Sequence, residues 1–143
     1  MRNLLYILLL IFLFSCKKEN PISDIPEIEF ISISPTIVQE FSDEIIITIS
    51  YSDADGDLGE NNPDLENLFV KDNRNEIEYK YRIPELTPSG SNIAIQGNFD
   101  IKISGTGITD ESSSQKVDYD IYVKDRAVNK SNTITTSSIT IQQ

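Results

Sequence analysis

From Glu27 onward the apolar residues fall on alternate positions, and no window of helical length carries an apolar stripe at i, i+3, i+4. That period of two predicts strands throughout. IEFISIS, residues 28–34, opens a first strand that Pro35 must kink or place at an edge, because proline has no N–H to give a ladder. Ile45, Ile47, Ile49 and Tyr51 alternate with Ile46, Thr48 and Ser50 in a second strand rich in β-branched residues. Leu68–Lys71 and Ile77–Ile83 flank the turn-type cluster DNRNE and predict a hairpin. Ile93, Ile95, Gly97, Phe99, Ile101 and Ile103 keep one parity across a glycine, which predicts either one long bulged strand or two short ones meeting at a bend. SGTGITDESSSQK, residues 104–116, reads as a flexible connection. Val117, Tyr119, Ile121 and Val123 then alternate with Asp118, Asp120, Tyr122 and Lys124, one dry face against one wet face. In the last strand, Thr133–Ile141, Ile134 and Ile139 differ in parity and predict a bulge. About seven strands with no helix and no long repeat make an all-β, two-sheet sandwich.

The N-terminus breaks this pattern. MRNLLYILLLIFLFSC has one basic residue, Arg2, and then an unbroken apolar run from Leu4 to Phe14. At roughly 11 residues the run is shorter than the ~20 of a spanning helix, and it reads as a secretory signal peptide over residues 1–15. Its end, Leu13-Phe14-Ser15-Cys16, resembles the lipobox of bacterial lipoproteins. The resemblance implies cleavage before Cys16 and a diacylglycerol on its thiol. Cys16 is the only cysteine of the chain, so no disulfide can form within the domain. Residues 16–26 then form a lipidated cysteine and a polar tether, interrupted by Pro21 and Pro26. Ten extended residues reach about 35 Å. The expected address is an outer membrane, on its periplasmic face or at the cell surface, with a single domain over residues 27–143.

Charge narrows the partners. Twelve Lys and Arg stand against 23 Asp and Glu, a net charge of −11. This disfavours nucleic acid and anionic headgroups, so the expected hold on the membrane is the lipid. The acidity is concentrated in SDADGDLGENN, where Asp53, Asp55 and Asp57 occupy alternate positions and Glu60, Asp64 and Glu66 follow. Like charges about 4 Å apart cost on the order of 1 kcal/mol in bulk water, and more where the dielectric falls. Such a cluster wants a counter-ion. Calcium, a hard cation taking six to eight oxygens, suits it. Zinc does not, for the chain has no histidine and its cysteine is assigned to lipid. Gly56 and Gly59 would let the loop fold around the ion and turn carbonyls inward. The spacing of Asp53, Asp55, Asp57 and Asp64 copies an EF-hand in part, but Leu58 stands at the glycine position and strands replace the flanking helices. The plain alternative is a solvated acidic turn.

VDYDIYVKDRAVNKSN, residues 117–132, resembles the closing strand pair of immunoglobulin-like and fibronectin type III-like bacterial modules, with Tyr119, Val123, Asp125, Ala127, Asn129 and Ser131 on the motif and Val128 in place of its glycine. The resemblance implies an immunoglobulin-like sandwich, in which the loops after the second and the penultimate strands emerge at one pole. Asp125 would then join Asp53, Asp55 and Asp57 as a metal ligand, with Glu27, Glu60 and Asp64 as further candidates. Tyr119 would be either a tyrosine corner, its hydroxyl bonding back to the preceding loop, or plain core packing.

Nothing points to catalysis. The chain has no histidine and no tryptophan, and no glycine-rich phosphate loop follows a strand. The reading is a non-enzymatic, lipid-anchored, calcium-stabilised module for adhesion or protein binding. The alternatives are a carbohydrate-binding accessory module with a platform of Tyr79, Tyr81 and Tyr122, or a structural subunit of an envelope complex with an open strand edge.

Overall fold

The structure is a computed structural model and describes residues 22–143. The expected signal peptide 1–15, the expected lipid site Cys16 and the expected tether up to Pro21 lie outside the described residues. Ten strand segments follow one another: β1 (Glu27–Ser34), β2 (Ile37–Gln39), β3 (Glu44–Asp53), β4 (Leu68–Asp72), β5 (Glu78–Tyr81), β6 (Ile95–Ser104), β7 (Ser114–Val117), β8 (Tyr119–Val123), β9 (Ile134–Thr135) and β10 (Ile139–Gln142). They pair in the orders β1-β3-β6, β5-β4-β8-β9 and β2-β10-β7. The third group continues the second, because β7 runs into β8 and β10 extends β9. The architecture is an all-β sandwich, with β2 parallel to the last strand.

Ten segments are seven courses of chain, three of them broken once. Pro35 ends β1, and the chain resumes as β2 in the other sheet. The penultimate course changes partners at Asp118: β7 pairs with β10, while β8 pairs with β4 and β9. In the last course, Thr135 faces Asp120 and Ile139 faces Val117, four steps of one strand against three of the other. That extra residue is the bulge the parity change predicts. β1 has its own irregularity between Phe30 and Ser32, which leaves Ile31 exposed.

The alternation expected from sequence decides the core. Ile45, Ile47 and Ile49 of β3, Ile101 and Ile103 of β6, and Val117, Tyr119, Ile121 and Val123 on the facing sheet are all sealed from solvent. Each fully buried branched side chain contributes about 1.5–3 kcal/mol of transfer free energy. All the clustered core residues lie between Ile28 and Ile141, so residues 22–143 carry the core they need.

Two expectations change. β6 is one continuous strand in unbroken register with β3, neither bulged nor bent at Gly97. The glycine serves a close approach instead: a Cβ there would stand 2.8 Å from the Tyr51 hydroxyl. And residues 114–116 are strand β7 rather than flexible connection, held by pairing with β10. Their polar side chains hide that pairing from a hydrophobicity pattern. The hairpin of β4 and β5 forms around DNRNE as expected. Its turn also carries a buried ion pair, with Arg74 Nη2 donating to Asp72 Oδ2 at 2.6 Å and Arg74 Nη1 donating to the Gly107 carbonyl and Gln115 Oε1.

Candidate metal centre

The acidic loop begins inside a strand. β3 sends Ile45, Ile47 and Ile49 inward, and the same alternation carries its last residue, Asp53, into a position with no solvent exposure. Asp53 Oδ2 accepts the Leu58 N–H at 2.8 Å, while Oδ1 has no partner. Leu58, the residue that spoils the EF-hand pattern, is itself fully buried and pins the loop to the core.

Gly56 and Gly59 have φ of +71° and +97°, which L side chains rarely adopt. A Cβ at Gly56 would stand 2.1 Å from the Ile93 carbonyl oxygen, and one at Gly59 2.3 Å from that of Pro84. Both glycines are thus needed for the loop to pass against the connection between β5 and β6. Their carbonyls do not turn toward the carboxylates as expected. Gly56 accepts from the Thr87 hydroxyl, and Gly59 accepts from Arg126 Nη1 at 3.3 Å.

A second loop closes the pole. Asp57 accepts the Arg126 N–H on its carbonyl at 3.3 Å and the Ala127 N–H on Oδ2 at 3.2 Å. Through these bonds the loop after β8 is fastened to the loop after β3, so the two loops meet at one pole.

The result is a convergence. One carboxylate oxygen from each of Asp53, Asp55 and Asp57 lies within 4.8 Å of the others. On each of the three residues, Oδ1 is buried and accepts no hydrogen bond. Buried acceptors left unpaired are expensive, and three charged ones together more so. Protons respond to that cost. Asp53 is raised to about 6, first by burial, then by the neighbouring carboxylates of Asp55 and Asp57, against the opposing Leu58 N–H. Asp57 is also raised, by burial first and then by the charges of Asp125 and Asp55, opposed by the Ala127 N–H and Arg126. The donor set is oxygen alone, the preference of hard cations. Two oxygens on opposite sides of an ion at 2.3–2.6 Å stand about 5 Å apart, so the three can share one centre. The cluster could hold a metal ion.

The other predicted ligands fare differently. Asp125 continues the inward alternation of β8 and is nearly buried, beside Asp57 but not within the cluster. Its Oδ1 accepts the Asn129 N–H at 2.7 Å and its Oδ2 the Asn129 side-chain amide at 2.8 Å. Asp125 therefore shapes its own turn first. Glu27 is exposed at the start of β1, opposite Ser52. Glu60 accepts the Asn62 N–H, and Asp64 is exposed; none of the three joins the convergent oxygens. Sequence reasoning missed Arg126, whose guanidinium lies 3.6 Å from Glu85 beside the acidic loop. No spacing rule marks it, since its role follows from the meeting of three loops.

The tyrosine platform does not form. Tyr79 and Tyr81 of β5 lie opposite Val70 and Leu68 and pack against the core, whereas Tyr122 shares the outer face with Phe69. Phe69 and Tyr122 stack at 4.7 Å, with Lys130 3.9 Å over the Tyr122 ring and Lys124 over Phe69. Tyr119 has its ring in the core, and burial pushes its hydroxyl up to about 12. That hydroxyl lacks a partner of hydrogen-bond geometry; its neighbour in the preceding loop is the Thr106 hydroxyl, equally unpartnered. The corner is thus sited as the resemblance implies, without the bond.

Fold and site together define an all-β sandwich with an oxygen-only acidic pole. The chain matches no family model, no curated protein and no solved structure.

Proposed function

We propose that this chain is a lipid-anchored cell-envelope module that binds calcium through Asp53, Asp55 and Asp57 and serves adhesion or protein contact rather than catalysis. The observation that carries the ion is the convergence of three carboxylates, each of which also keeps one buried oxygen without a hydrogen-bond partner. Calcium fits better than other ions because the ligands are carboxylates on a loop whose strand ends are fixed, and because extracytoplasmic sites of this kind work at about 10⁻⁴ to 10⁻³ M. The anchor rests on the leader and Cys16, and the absence of histidine supports a non-catalytic role. A glycan-binding role loses its main support with the tyrosine platform.

Thermal unfolding of residues 22–143 tests the ion, in chelator and in millimolar calcium. An ion at 100 times its dissociation constant adds about 2.7 kcal/mol, a rise in Tm on the order of 10 °C for a domain of this size. Asp55→Asn should abolish the response. Superimposed wild-type curves would reduce the pole to a solvated acidic turn. The anchor has its own test: Cys16→Ser should release the protein from the membrane fraction.

A further inference from the structure

The order β1-β3-β6 leaves β6 as the outer strand of its sheet. Among the described residues, no backbone group outside β3 bonds to it. It is the longest unbroken edge of the molecule. β5 has four residues, and β1, the opposite edge, is interrupted at Ile31. β6 contains no proline and keeps one register with β3 from Ile95 to Ser104. Half of its N–H and C=O groups therefore face outward along a straight line, a ready template for another strand.

The side chains on this edge carry a pattern. Asp100 and Lys102 are exposed on the outer face, two residues apart and opposite in sign. Each bonds lightly within its own sheet, Asp100 accepting from Thr48 and Lys102 pairing with Glu44. A lone lysine on an edge usually repels an incoming strand. An Asp and a Lys spaced by two make the edge complementary to itself when antiparallel. With Ile101 opposite Ile101 of a second copy, Asp100 of each faces Lys102 of the other, and Asn98 faces Ser104. On the inner face, Phe99 meets Ile103. A slip of two residues either way sets Asp100 against Asp100 or Lys102 against Lys102, so charge selects one register. Beneath the same edge lies an apolar cleft of about 380 Å³, lined by Tyr81, Ile83, Leu86, Phe99 and Ile101 among others, which a second sheet would help to close.

We infer that β6 is a homophilic edge, and that two copies of this chain join antiparallel through it into one six-stranded sheet. The two-fold axis reverses the strands, so the N-terminal ends leave the pair in opposite directions. Net negative charge on both partners keeps the association weak and reversible.

Charge reversal tests this. Sedimentation of residues 22–143, from micromolar to millimolar concentration, should show dimer forming. Asp100→Lys and Lys102→Asp should each be monomeric, because each sets like charges across the axis. Mixed, the two variants should recover dimer, because each then meets its opposite. Wild-type protein also allows a test without substitution: alternate β6 amides should gain hydrogen-exchange protection as concentration rises. A wild-type chain that stays monomeric, a dimer indifferent to both reversals, or a mixture that fails to associate would overturn the inference.

Discussion

Asp53 lies where a proton and a metal ion would compete. Because Asp53 is raised above its unfolded value, its contribution to stability is complete below about 3.8 and is lost as pH rises through about 6. In chelator, Tm should therefore fall between pH 4 and pH 6.5, and millimolar calcium should cancel the fall, as a pH series of melts with and without the ion would reveal. The same repulsion gives Asp55→Asn a double signature: a higher Tm than wild type in chelator, a lower one in calcium. Val128 offers a separate check. It stands at φ +68°, the left-handed conformation the glycine of the resembled motif would adopt freely, and its side chain is 71% exposed. A β-branched residue there costs on the order of 1 kcal/mol. Val128→Gly should raise denaturant stability by about that much. At this scale the acidic loop is legible because alternate aspartates are conspicuous, and the inward turn of Asp53 follows from its parity with Ile49. The capture of Asp125 by Asn129 and the placement of Arg126 are not, since both depend on loop contacts that periodicity does not describe.

Strands announce themselves when one face is dry. β3 and β8 are legible almost residue by residue, because Ile45, Ile47 and Ile49, or Tyr119, Ile121 and Val123, alternate cleanly with wetter neighbours. β2 and β7 are invisible for the opposite reason. Ile37–Gln39 is three residues long and Ser114–Lys116 has no apolar side chain, so each exists only through pairing with β10. The Asp72–Arg74 pair is likewise hidden inside what reads as a turn. It fastens the end of β4 to the loop after β6 and to β7, through Gly107 and Gln115. Truncating one partner of a buried pair leaves the other charged and desolvated, which costs about 3–5 kcal/mol. Arg74→Ala should therefore lower the urea midpoint far more than Lys71→Ala, which removes the partly exposed pairs with Glu76 and Asp120.

The described residues share one contiguous core, running from Ile28 on the first strand to Ile141 on the last, with both sheets contributing. A domain of this size with one core unfolds in a single cooperative step. Calorimetry should show one transition with calcium and one, at lower temperature, in chelator. Two transitions in chelator would mean that the acidic pole melts apart from the sandwich.

One backbone bond gives that pole a further meaning. The Ala54 N–H, between Asp53 and Asp55, donates to the Ser23 carbonyl at 2.9 Å. The stretch by which the chain enters the domain is thus fastened to the ion loop itself. On the proposed reading, in which Cys16 carries the lipid, the loop would be a footing rather than a fingertip. An ion bound there would brace the point at which residue 23 enters the sandwich, through the same Ala54–Ser23 bond. The opposite tip, where Phe41 is 70% exposed beside Thr106, would on the same proposal be the end presented to the surroundings.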